Sequence, residues 1–378
     1  MSGSPGVNSF NSLNSFNSVN NPNNAGISVV TGFNGFNNIV GQKEVIGRLK
    51  NSLKRDMVRH AYIFSGPRGI GKKTVAKAFA GMLLCSNPGE NGGCGKCLPC
   101  RLFLENTNPD FCVIERNEAS IAVDDIRNMQ NDIAIRPLYS NRKVYLVADG
   151  EKMTVQAQNC LLKTLEEPPG YGVIIITTSN YDALLHTVCS RCVKYAFVRN
   201  TDEEVRLVLG SRTGLRGEEL DFIVQYADGV IGKALDVAAS GEFMSLREKV
   251  VDVILQLPGE GLKKFFEICT FFMENKDNID KILDIMLLTY RDIFISLFRR
   301  KEKMPDFADL KLDFTSSKLH FTGLKDKTKN KISDAAVSFS PGKLVANMET
   351  IEYTRRCIKR NANFQLAIET MIIKLQEG

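Results

Sequence analysis

The sequence predicts an α/β domain built on a parallel sheet, followed by two blocks made only of helices. Three observations predict it. A glycine loop, Gly66-Pro-Arg-Gly-Ile-Gly-Lys72-Lys73-Thr74, lies between a strand-like run and an apolar helix-forming run. From residue 61 to residue 197, buried-type strands alternate with amphipathic helices, the order that places a parallel sheet between helical layers. From Thr201 onward the strand pattern stops and only helical periodicity continues.

Composition bounds the rest. At 378 residues the chain holds two or three domains. A hydrophobic fraction of 43% with 24% charged residues suits a globular protein with a sizeable core. No run of about 18 apolar residues occurs, so no membrane span or membrane partner is expected. The N-terminus lacks a charged segment followed by an apolar one, which points to the cytoplasm. Ten cysteines in that setting are not read as structural disulfides, and a tight cluster of them is read as metal-binding. The net charge of +6 is compatible with nucleic acid without arguing for it.

Residues 1–32 repeat Asn-Ser-apolar every three positions between Asn8 and Asn20, a period that fits neither helix nor strand. They read as a disordered tail, with a peptide for a partner as the rarer alternative. The α/β domain is expected over residues 33–199. It opens with Ile39-Val-Gly-Gln42 and a helix whose apolar positions are Val45, Ile46, Leu49 and Leu53. Strand Ala61-Tyr-Ile-Phe-Ser65 then feeds the glycine loop.

The pattern G-x-x-x-x-G-K-[ST] needs its glycines so that backbone N–H groups can turn inward around a phosphate. Gly66, Gly69 and Gly71 supply them, and Lys72 would reach the β- and γ-phosphates. The next position should carry a hydroxyl for Mg²⁺. Here it is Lys73. Thr74 lies one residue further, about 100° around a helix, so its hydroxyl is expected to face away. A chance glycine loop is the bland alternative, and the flanking strand and helix argue against it. Strand 143–148 ends in Asp149, placed as the acidic residue that assists Mg²⁺ in such domains. A glutamate should follow to polarise water. Gly150 follows instead, and Glu151 is displaced by one. Nucleotide binding is thus expected, hydrolysis is not, and whether ATP or ADP with Mg²⁺ is retained stays open.

Between these motifs, Cys85, Cys94, Cys97 and Cys100 supply four thiols within sixteen residues, spaced C-x8-C-x2-C-x2-C. Zn²⁺ in a structural site takes four tetrahedral S or N ligands, and paired C-x2-C turns bring sulfurs together. A redox pair or free thiols is the competing reading, without a thioredoxin-like context to support it. Four thiolates leave no open position, so the metal would be structural. Further strands are expected at 111–115, 172–178 and 193–197, and helices at 123–134, 154–166 and 183–186. A small helical domain is expected over 200–240, in which Gly232-Lys233 opens a helix and Lys233 would face a nucleotide. The remaining helices, 241–378, form a third block. Its polar connection carries Arg299-Arg300-Lys301 and Lys325 to Lys331, read as a solvated loop rather than a nucleic-acid patch.

The assembled chain resembles the AAA+ clamp-loader subunits of bacterial DNA polymerase III, best their delta-prime branch. Four stretches carry the resemblance: Val40-Gly-Gln42, the loop with its four-cysteine insert, Asn159-Cys-Leu-Leu-Lys-Thr-Leu-Glu-Glu-Pro-Pro169, and Ser190-Arg191-Cys192. It covers residues 36–240 strongly and the C-terminal helices more loosely, through Tyr290-Arg-Asp292 and Asn361-Ala-Asn-Phe-Gln-Leu366. The resemblance implies a lid over 200–240 and an oligomerising collar over 241–378, joined through the apolar faces of helices 343–359 and 364–376. Those faces are Val345, Met348, Ile351, Leu366, Met371 and Leu375. It also implies Val40 beside a nucleotide, and Arg191 as an arginine offered in trans to a neighbour's ATP. The implied role is a stator that helps load the sliding clamp onto primed DNA, beside gamma/tau and delta subunits. The alternative is the ATP-hydrolysing motor of the same complex. Its family keeps Gly-Lys-Thr and an Asp-Glu pair, which this chain lacks. A stand-alone zinc-dependent DNA-binding protein would need a basic recognition helix, and none is found.

Overall fold

The computed structural model describes residues 35–116, 119–257, 262–300 and 339–376. The Asn-Ser repeat, Lys301 and the run from Lys325 to Lys331 lie outside them. The chain divides into two compact units. The first runs to Thr201 and takes back Val230–Gly232; the second holds Asp202–Gly229 and the chain from Lys233 onward. The helices expected as a separate lid therefore share a unit with those expected as the collar.

The first unit is a five-stranded sheet. Its strands are β1 (Ala61–Ser65), β2 (Phe111–Ile114), β3 (Lys143–Val147), β4 (Gly172–Thr178) and β5 (Val193–Ala196), in the order β2-β3-β4-β1-β5. Every pairing is parallel; Ala61 faces Ile174 and Phe111 faces Val144. Alternate side chains leave a strand on opposite faces, and both faces here are covered. Tyr62, Phe64, Val144, Leu146, Val173 and Ile175 pack toward α1 (Lys43–Lys54) and α2 (Lys72–Leu84). Ala61, Ile63, Tyr145, Val147, Ile174 and Ile176 pack toward α4 (Val123–Ile133), α5 (Val155–Glu166) and α6 (His186–Cys189). Each large apolar side chain so buried contributes about 1.5–3 kcal/mol, which is why these strands are continuous apolar runs. A short helix, α3 (Leu98–Leu104), with Pro99 in its first turn, leaves the cysteine cluster; the sequence reading had no helix there.

The helix expected at 183–186 is displaced. A 3-10 turn covers Tyr181–Ala183, Leu184 and Leu185 are extended, and α6 begins at His186. The cause is the buried Gln158 of α5. Its amide donates to Ala183 O at 3.2 Å, and its Oε1 accepts from the Leu185 N–H at 2.7 Å. Those backbone groups are thereby satisfied without helix. Buried Asp110 does similar service before β3, where its carboxylate accepts the N–H groups of Leu138, Tyr139 and Ser140 at 2.7, 2.8 and 2.8 Å.

The second unit is helical in its described residues: α7 (Asp202–Thr213), α8 (Gly217–Ala227), α9 (Ile231–Ala239), α10 (Phe243–Gln256), α11 (Leu262–Glu274), α12 (Ile279–Arg300), α13 (Pro341–Lys359) and α14 (Phe364–Gln376). The first residues of α9 belong to the first unit. Ser340 caps α13 by accepting the Lys343 N–H at 3.2 Å. Met348, Ile351, Met371 and Leu375 are buried within this unit itself, whereas Leu366 is exposed, as are Leu262, Phe266, Tyr353 and Ile373. The expected apolar stripe thus mostly fills its own core. Among the described residues no helix is long and apolar enough to cross a membrane.

Candidate functional site

The glycine loop joins β1 to α2. At Gly66 a Cβ would lie 2.7 Å from Phe197 O and 2.8 Å from Phe197 Cβ, so the loop's entry passes too close to its neighbour for any side chain. Gly71 caps α2 with φ 102°, a left-handed conformation that glycine adopts without strain. Gly69 offers its carbonyl to the Gly232 N–H at 2.9 Å. The loop therefore has the backbone its sequence calls for. Inside it, Lys72 Nζ donates to Gly66 O at 2.6 Å and Pro67 O at 2.8 Å. Lys72 is 7% exposed, and burial lowers its pKa; the carboxylates of Glu151 and Asp149 work against that fall. Lys73 leads away from the loop and pairs with Glu115 of the segment after β2. Thr74 is exposed on the outer side of α2, as its angular position requires.

At the end of β3, Asp149 has φ 53° and its N–H donates to Thr177 Oγ1 at 3.2 Å; Lys152 Nζ stands 3.4 Å from its carboxylate. At Gly150 a Cβ would meet Ile176 Cγ2 at 2.5 Å and Leu184 Cδ2 at 3.5 Å. Ile176 is fully buried and β-branched, so its choice of rotamer is restricted. A side chain at position 150 would have to displace it. Glu151 is turned to β4, where its Oε1 accepts from the N–H of Ser179 at 3.1 Å and from the Ser179 hydroxyl. Burial opposes its ionisation, but those donors prevail and hold its carboxyl below the usual range. Val40 is half-buried beside Gln42, whose buried amide donates to Val198 O at 2.6 Å and accepts the Val198 N–H at 3.2 Å. This ties the Val40-Gly-Gln42 segment to the chain leaving β5.

The four cysteines converge. Cys85 ends α2, Cys97 caps α3 and Cys100 lies within α3. The sulfurs of Cys85, Cys94, Cys97 and Cys100 all lie within 4.8 Å of one another, and Cys85 Sγ is 3.9 Å from Cys97 Sγ. Tetrahedral thiolates at about 2.3 Å from a metal stand about 3.8 Å apart. Backbone N–H groups aim at the sulfurs: Cys94 donates to Cys85 Sγ at 3.1 Å and Cys97 to Cys94 Sγ at 3.3 Å. These donors stabilise thiolate, the ligating form. The donor set fits one tetrahedral metal ion with no coordination position left over.

Arg191 follows α6 on the surface. Its Nη1 donates to Thr187 O at 2.9 Å, and its Nη2 pairs with Glu166 Oε1 at 2.7 Å. Lys233 belongs to the second unit. There its ammonium donates to Asp284 at 2.6 Å, which Arg355 also contacts at 2.6 Å, and it lies 4.0 Å from the centre of the Tyr226 ring. The structure thus groups Gly66, Gly69, Gly71, Lys72 and Asp149 around one loop and the four cysteines around one centre. Arg191 stands apart on the surface, and Lys73 and Lys233 are committed to Glu115 and Asp284. The partners Glu115, Ser179 and Glu166 were not found from the sequence. Each is an ordinary polar residue, distant along the chain, and no periodicity marks it.

A parallel sheet in this strand order, with a glycine loop opening the helix after β1, defines an α/β domain of the P-loop, AAA+ fold class. The family described as DNA polymerase III, delta subunit matches residues 41–201. The delta-prime subunit of Bacillus subtilis is 26% identical over 342 residues, covering 89% of this chain and 97% of that protein. The delta-prime subunit of Pseudomonas aeruginosa is 42% identical over 139 residues, covering 36% of this chain and 42% of that one. The tau subunit of B. subtilis is 27% identical over 280 residues, covering 68% of this chain and 49% of that one. The matched part thus spans half or less of the last two relatives. The chain is thus similar to clamp-loader subunits of DNA polymerase III, and over most of its length to a delta-prime subunit.

Proposed function

We propose that this chain is the non-hydrolysing stator of a clamp loader, acting with gamma/tau and delta subunits in the cytoplasm to place a sliding clamp on primed DNA during replication. It is counted with a DNA-directed DNA polymerase by membership of the complex, without chemistry of its own. The observation that carries this reading is position 150. The place of a water-polarising glutamate is crowded by Ile176, and the acid that follows it, Glu151, is held by Ser179. Lys73 adds to it, since an ammonium cannot replace a Mg²⁺-binding hydroxyl. The loop can still cradle a nucleotide, with Lys72 released to its phosphates and Val40 and Gln42 at its edge. Arg191, exposed just after α6, supplies positive charge to a neighbour's γ-phosphate as hydrolysis proceeds. The four cysteines hold one Zn²⁺ that fixes the insert and takes no part in chemistry.

The test is reconstitution. The isolated chain is expected to release phosphate from ATP at background rates, and a loader assembled without it to fail in clamp loading. Turnover like that of an ordinary AAA+ motor, abolished by Lys72→Ala, would overturn the reading.

A further inference from the structure

We infer that Glu166 is the positioning residue of Arg191, and that α5 sets where this arginine stands. The inference rests on the trans role proposed above. α5 grips the segment bearing Arg191 at two points. Near its start, Gln158 fixes Ala183 and Leu185 and so decides where α6 begins. At its last residue, Glu166 takes Arg191 Nη2 at 2.7 Å. Eight residues of helix separate the two grips, about 12 Å. Between them Val188 of α6 is fully buried against the same layer as Leu161 of α5. The guanidinium is then held from two sides, by Glu166 at Nη2 and by Thr187 O at Nη1, which fixes the plane of its fork.

A glutamate at the end of α5 is locally unfavourable. The last carbonyls of a helix carry partial negative charge, and Glu167 follows directly. A cation facing Glu166 offsets both. The pair is also half-exposed, with side-chain exposures of 36% for Arg191 and 51% for Glu166, so water screens it and it is weak. A polyphosphate, with several negative charges, outcompetes one such carboxylate. Glu166 therefore narrows the rotamers of a long side chain before the neighbour engages and releases it when the phosphate arrives. Without Glu166 the charge survives, but less of it is aligned at the moment of hydrolysis.

The experiment uses a loader reconstituted with wild-type motor subunits, sliding clamp and primed DNA, with assembly checked by gel filtration. Glu166→Ala is expected to lower kcat at the served site about threefold, the scale of an exposed ion pair. KM for ATP should stay unchanged, because the neighbour's own loop binds it. Glu166→Gln keeps an acceptor oxygen and should fall between Ala and wild type. In an Arg191→Ala background neither change should slow the reaction further. If Arg191→Ala is slow and Glu166→Ala matches wild type, the positioning role is wrong. It is equally wrong if Glu166→Ala still slows the enzyme after Arg191 has been removed. If Arg191→Ala itself leaves the rate unchanged, the trans reading fails first, and Glu166 falls with it.

Discussion

The glycine-loop end of the sheet and the Arg191 edge hold their charges in opposite ways. At the loop, three charged groups suited to phosphate chemistry are tied to neighbours in their own domain: Lys72 to Gly66 O and Pro67 O, Lys73 to Glu115, Glu151 to Ser179. Lys72 is buried, so leaving its carbonyl partners unpaired would be costly. At the edge, Arg191 is exposed and held by one screened carboxylate, one carbonyl and, at 3.4 Å, the Ser190 hydroxyl. A buried, satisfied network resists change, while an exposed pair costs at most about 1 kcal/mol to open. The loop's charges are thus held within the domain, whereas the charge at Arg191 is the easier one to release.

The contrast is broken most directly at the edge. Arg191→Ala should leave the loader assembled yet cut its DNA-stimulated ATPase and clamp loading at least about tenfold at the served site. The total rate falls less where other sites keep their own arginines. ATPase of a complex carrying this single variant is the measurement, and an unchanged rate reduces Arg191 to a surface residue. A smaller effect is expected at the closed end. Gly150→Glu should destabilise the first unit by about 1–3 kcal/mol through overpacking against Ile176. It should confer no turnover, since Lys73 still occupies the hydroxyl position. Thermal unfolding and phosphate release read the two quantities, and a stable variant that hydrolyses ATP would show the closed end to be open. The least effect on either region is expected from the metal insert. The purified, reduced chain should carry about one Zn²⁺. Cys97→Ser should lower that content and loosen the segment from Cys85 to Cys100, leaving the sheet and Arg191 in place. Elemental analysis finding no zinc in the parent protein would remove the metal.

Much of this was legible in the sequence because burial writes itself into composition. β1, β3 and β4 are apolar runs, since both faces of a central parallel strand are covered. The cysteine spacing pointed to the sulfur cluster for the same kind of reason: four possible ligands of one type within sixteen residues leave few alternatives. What escaped depended on polar side chains acting at a distance. Gln158 moved a short helix by bonding two backbone groups some twenty-five residues away, and nothing in its own neighbourhood announces that. Helix α3 was hidden by its role, because Leu98–Leu104 was read only for its ligands. Glu166 sat within a quoted motif, yet its partner lies on another element, and side-chain ion pairs between elements leave no period to detect. Lys233 illustrates the converse: its placement at a helix start was read correctly, but Asp284, which holds it, comes from a helix fifty residues later.

The closure at Gly150 also bears on descent. A loop that had merely lost a catalytic residue could regain it by one substitution, and drift would sample that repair often. Here a side chain at 150 would meet Ile176 Cγ2 at 2.5 Å, and Lys73 stands where a hydroxyl is needed. Under the proposed stator role, a single step toward hydrolysis would lower stability without restoring turnover. Packing of one methyl group against one backbone would then act as a ratchet.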